Sequence, residues 1–189
     1  HEGIMVLNEK FKPGKKLSKI YNSNDDTIFE IGLTPNRSDA ISHFGVARDL
    51  RAALMHRGIK TELITPLISS FYVNSRTRKI NVKVEDYNLC PRFSGICIEN
   101  IKIDKSPDWL QTRLKSIGLS PINNVVDVTN YVLHELGQPL HAYDLDTIKT
   151  DQISVKTLKK NLSFTTLDGL NRTLNKNDLM ICDSESPMC

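Results

Sequence analysis

A chain of 189 residues with 39% hydrophobic and 25% charged residues is long enough to bury a core as one large unit or two small ones, and its composition excludes disordered and collagen-like classes. No apolar run approaches the ~20 residues that a membrane-spanning helix needs. The net charge of +3 permits contact with nucleic acid without requiring it.

The opening residues HEGIMVLNEK lack the basic, apolar and small-residue succession of a secretory signal, so the expected compartment is the cytoplasm. Cys90, Cys97, Cys182 and Cys189 form no CxxC pair and read as reduced thiols. The absence of an initial Met and the ending at PMC, directly after a strand-like run, suggest a piece of a longer protein.

Residues 1–34 alternate short apolar pieces, GIMVL and TIFEIGL, with the lysine-rich KFKPGKKLSK and the turn-like NSNDD, which suggests small strands and loops. From Ser38 onward Ile41, Phe44, Ala47, Leu50 and Leu54 recur at helical spacing, with Ser38 or Asn36 as cap and Gly58 as stop. Residues 59–78, which include Pro66 and Ser69-Ser70, form the best linker and place a boundary near residue 70.

KINVKVED and RFSGICIENIKI then alternate as strands do. Ser106-Pro107-Asp108 predicts a capped helix start leading into WLQTRLKSIG. After a further helix come QISVKTL, LSFTTLDGLNRTL and DLMICD, strand-like runs with a hairpin signal at Asp168-Gly169. The second unit is expected to be α+β with antiparallel strands and about two helices.

Several catalytic signatures are missing: GxGxxG, GxxxxGK[ST], HExxH and GxSxG do not occur. His43 and His56 fall on the first helix and read as structural, and His134 as solvent-facing. Arg76, Arg78, Lys79 and Lys83 could meet phosphate, although a charged strand edge is the blander account.

The stretch VVDVTNYVLHELGQPLHAYD is different. Thr129 and Asn130 are poor helix-interior residues, costing roughly 1 kcal/mol together relative to Ala. Gly137-Gln138-Pro139 forces a sharp exit that holds His141 on rigid neighbours. Two readings stay open here: a buried helix end with its polar groups satisfied, or a ligand pocket built from Thr129, Asn130 and His141.

LTPNRSDAISHFGVARDLRAAL at 33–54 and VVDVTNYVLHELGQPLHAYDLDTI at 125–148 resemble the β-subunit family of bacterial phenylalanyl-tRNA synthetases, as do CPRFSGICIENIKI, SPDWLQTRLKSIGL and LSFTTLDG. The resemblance implies an α+β chain. Residues 1–70 would be part of a small helical domain, and residues 71–189 most of an antiparallel, β-barrel-like editing domain with helices.

It further implies hydrolysis of tyrosine misattached to tRNA-Phe, with Thr129, Asn130 and His141 acting in the pocket and Gln138 and Pro139 shaping its wall. Aminoacylation with ATP and Mg2+ would belong to an α subunit in an (αβ)2 heterotetramer, this piece binding neither cofactor. The acidic residue that reads the tyrosine hydroxyl would lie beyond residue 189, and Ser120 stands where relatives often carry a basic residue. A free-standing editing factor and a non-catalytic tRNA-binding or scaffolding module are the competing readings.

Overall fold

The computed structural model describes residues 6–7, 11–20, 26–166, 169–183 and 186–189. Its helices are α1 (His43–His56), α2 (Asp108–Ser116) and α3 (Asn124–Leu136). The expected start at Ser38 is a separate 3-10 turn, Ser38–Ala40, and the cap is Ser42, whose hydroxyl accepts from the Gly45 N–H.

Gly45 permits that arrangement: a Cβ there would lie 2.5 Å from the Asp39 carbonyl oxygen and 2.7 Å from Ala40 Cα. An ion network reinforces the corner. Arg37 reaches Asp39 at 3.0 Å and Asp49 at 2.5 Å, and Arg48 also pairs with Asp39.

α2 and α3 pack together around Leu110 and Leu114, both about 1% exposed. Ser106, expected as the α2 cap, is put to another use. The capping position is Pro107, and the Ser106 hydroxyl donates to the buried Asp127 of α3 at 2.5 Å. Asp127 also accepts from the Ile122 N–H at 2.8 Å. One carboxylate therefore ties the entry of α2 to the first turn of α3.

The fold is α+β. Its main sheet has the order β1 (Asn81–Val84), β2 (Gln152–Thr157), β5 (Leu179–Asp183), β6 (Ser186–Pro187), and β3 (Leu162–Thr165) pairs with β4 (Asn171–Leu174) as a separate hairpin. Gly169 of the expected turn has φ +77°, whereas Asp168 lies outside the described residues. β2 is central, so residues 153–156 are buried on both faces despite their alternating sequence.

The expected antiparallel, barrel-like sheet needs two corrections. Among the described residues the sheet is open, and β1 pairs with β2 in parallel, Val82 opposite Ile153. Alternation does not encode strand direction, and the long connection carrying α2 and α3 supplies the crossover that parallel pairing requires.

Residues 92–103 take no ladder partner among the described residues, and Asn100 interrupts them with φ +61°, so the strand expected there is not formed. Residues 27–33 likewise form no strand. Of the first apolar piece, residues 3–5 lie outside the described residues, as do residues 22–25 of the expected turn.

Candidate functional site

The 125–144 stretch folds as α3 and its exit. Asn123 caps the helix by accepting from the N–H groups of Val125 and Val126, both at 3.0 Å. Thr129 and Asn130 follow on consecutive, half-buried positions. The Thr129 hydroxyl donates to the Val126 carbonyl at 2.7 Å, which repays part of the helix cost of a threonine. Its proton is thus committed, and its oxygen keeps lone pairs for an incoming donor.

Gly137 ends the helix at φ +78°. It also lets the exit approach α1, since a Cβ there would stand 3.1 Å from the Ile41 carbonyl oxygen. His43 of α1 meets the same exit, its Nδ1 lying 3.2 Å from the His134 carbonyl, a structural role as expected. Gln138 and Pro139 are exposed and carry the chain to His141, also exposed.

The structure places His141 with residues that lay outside the expected set. Its ring stacks on Tyr143, with centroids 6.2 Å apart and 18° between planes. Its Nδ1 is 3.7 Å from Sγ of Cys189. The buried Tyr143 hydroxyl has no hydrogen-bond partner of ordinary geometry among the described residues, and burial first, then the neighbouring Cys189, pushes the phenol well above its usual range. No hydrogen bond joins His141 to Thr129 or Asn130 among the described residues.

Arg78 secures the loop beyond His141. Its guanidinium donates to Asp146 at 3.0 Å and to the Leu145 carbonyl at 3.2 Å, and the Asp146 bond holds the arginine even more firmly protonated than usual. The sequence leaves the basic cluster as a charged strand edge or a phosphate contact. For this member the geometry is a clamp, while Lys83 pairs with Glu85 at 3.7 Å.

An open groove of about 560 Å³ lies elsewhere, lined by Ile28, Phe29, Ile31, Ile41, Val46 and Ile117 among others. Thr129, Asn130, Gln138, Pro139 and His141 are not part of it. Polar groups line it too: Ser42, whose hydroxyl accepts from the Gly45 N–H, His43, whose Nδ1 lies on the His134 carbonyl, and Arg113, which pairs with Asp26 at 3.6 Å. Among the described residues no group of three or more His, Cys, Asp or Glu could hold a metal ion. None of their helices is long and apolar enough to cross a membrane.

The chain is similar over its whole length to β subunits of phenylalanine–tRNA ligases. It is 47% identical to that of Bacteroides fragilis over 189 residues and 48% identical to that of Porphyromonas gingivalis over 192, each alignment covering all of this chain and 23% of the relative. The Fusobacterium nucleatum β subunit is 42% identical over 97% of this chain and 22% of its own length. The chain thus spans about a quarter of the length of the curated relatives it matches. The family model described as the B3/4 domain matches residues 89–189, which hold α2, α3, His141 and the strands β2 to β6. With that match extending over more than half of its residues, the chain belongs to the B3/4 domain family.

Proposed function

We propose that this chain is part of the β subunit of a phenylalanine–tRNA ligase and carries most of an editing domain, with one wall of a proofreading site that hydrolyses tyrosine wrongly esterified to tRNA-Phe. The observation that carries the reading is the coincidence of the B3/4 match with the segment holding Thr129, Asn130 and His141. Its partners would be an α subunit and tRNA-Phe, in a cytoplasmic (αβ)2 assembly. The unit boundary near residue 70 belongs to the same proposal.

ATP and Mg2+ would activate the amino acid for esterification on the α subunit. This chain has no GxxxxGK[ST] motif and, among the described residues, no group of three His, Cys, Asp or Glu that could hold a metal ion.

Ester hydrolysis needs a positioned water and a donor for the developing oxyanion. The Asn130 amide N–H is suited to donate to that oxygen. Thr129, its proton committed to Val126, accepts instead, and so orients the water or a ribose hydroxyl. His141 adds a second polar group at the mouth, with Gln138 and Pro139 as the wall. Hydrolysis of the wrong ester supplies selectivity that side-chain binding alone gives poorly.

A non-catalytic tRNA-binding or scaffolding module draws support from one contact: the Thr129 hydroxyl is already satisfied within its own helix. Deacylation of Tyr-tRNA-Phe by the complete β subunit with its α partner separates the two. Asn130→Ala is expected to lower kcat by about 100-fold, the scale of a lost oxyanion donor. His141→Ala should lower it by at least about tenfold. Wild-type rates in both variants would leave only the scaffolding role.

A further inference from the structure

Two side chains constrain the His141 imidazole. Tyr143 stacks on its face. Cys189 meets its edge, Sγ lying 3.7 Å from Nδ1, a separation that the larger radius of sulfur allows for a hydrogen bond.

The backbone of Cys189 is fixed. The Ile181 N–H donates to the Cys189 carbonyl at 2.6 Å, and the Cys189 and Met188 N–H groups donate back to the Ile181 carbonyl at 3.2 and 2.7 Å. Ile181 lies in β5, opposite Val155 of the central strand. The thiol is therefore carried to the imidazole by the main sheet, from a part of the sequence far from residue 141.

The direction of the bond follows from the chemistry of the two groups. A thiol sulfur is a weak acceptor, whereas the lone pair of an unprotonated imidazole nitrogen is a strong one, so S–H donating to Nδ1 is the better arrangement. A neutral imidazole that accepts at Nδ1 carries its proton on Nε2. We infer that Cys189 is a positioning residue for His141, fixing the tautomer in which Nε2–H faces the substrate as a hydrogen-bond donor.

This assignment rests on the proposed pocket role of His141. It means that His141 donates to an ester or ribose oxygen and does not take a proton from water. The substrate's own amine or ribose hydroxyl is then a base available for the attacking water.

The test is deacylation of Tyr-tRNA-Phe by the complete β subunit in complex with its α partner, with thermal midpoints measured to verify folding. Cys189→Ala is expected to lower kcat by about tenfold at unchanged KM, the signature of an interaction felt in the transition state. Cys189→Ser, which keeps an O–H donor, should retain most of the rate.

His141→Gln, which can donate but cannot act as a base, should stay well above His141→Ala. In the His141→Ala background, adding Cys189→Ala should change nothing further, because the thiol acts only through the imidazole.

If His141→Ala is impaired while Cys189→Ala runs at the wild-type rate, the positioning role is overturned and the pocket stands. The same holds if the cysteine effect persists at full size without the imidazole, or if serine fails to rescue. A His141→Gln variant as slow as His141→Ala overturns the donor assignment. Wild-type turnover in His141→Ala overturns this inference, and wild-type turnover in Asn130→Ala as well overturns the pocket with it.

Discussion

Gly45 sits mid-turn on a helix, where Ala would ordinarily gain about 1 kcal/mol. Here the added methyl would meet backbone, 2.5 Å from the Asp39 oxygen and 2.7 Å from Ala40 Cα, and no rotamer change relieves such a clash. Overpacking of this kind costs about 1–3 kcal/mol, so Gly45→Ala is expected to lower the urea midpoint, and a midpoint equal to wild type would refute the reading. Asp127 presents the opposite case, a buried carboxylate whose value depends on its partners. Asp127→Ala strands the Ser106 hydroxyl and the Ile122 N–H, for an expected loss of about 2–3 kcal/mol. Ser106→Ala should cost less, and the double variant less than the sum of the two, because the hydroxyl left unsatisfied in the first is gone in the second. Strict additivity in denaturation experiments would show that the pair is not coupled.

Gly137 joins two helices, ending α3 in the left-handed region and touching the start of α1 through the Ile41 carbonyl. Gly137→Ala should cost about 1–2 kcal/mol from the positive φ alone, and it should also displace the exit that carries His141, lowering deacylation in the complete subunit more than its stability loss explains. Unaltered deacylation at a lowered melting temperature would confine Gly137 to a folding role. The C-terminal stop of α3 was legible because glycine and proline act locally. The start of α1 was not, since Ser38 is a favoured cap residue just ahead of the apolar periodicity, while the ion network of Arg37, Asp39, Asp49 and Arg48 makes residues 38–40 a turn of their own. Strand direction and the missing ladder at 92–103 were illegible for a related reason: alternation records which side chains share a face, and pairing is decided by segments distant in the chain. Thr129, Asn130 and His141 stood out as polar interruptions of an apolar pattern. Cys189 did not, because only the β5–β6 ladder brings it beside His141.

Across the whole molecule, carboxylates fasten pieces of chain to one another, and their protonation sets its response to acid. Arg37 holds Asp39 below the ordinary carboxylate value of 3.8, with Arg48 adding to the effect. Asp183 of β5 is also held below 3.8, first by the Lys149 N–H at 3.0 Å and then by the Thr150 hydroxyl at 2.8 Å, which bind the turn leading into β2. A depressed folded-state value means that the unfolded chain binds protons more readily. The stability from these groups is therefore complete above about pH 4 and is lost as pH falls through the lower folded values. The two groups differ in their sensitivity to salt. The exposed pairs of Arg37 and Arg48 weaken as ionic strength rises, whereas the Asp183 bonds to N–H and O–H groups are screened far less. Urea midpoints measured from about pH 6 down to 3 should stay level and then drop below about pH 4, with 1 M salt removing only part of the drop. Asp183→Asn should lower the midpoint at neutral pH and flatten the acid limb even in salt, and an acid limb as steep as wild type would show that Asp183 does not couple folding to protons.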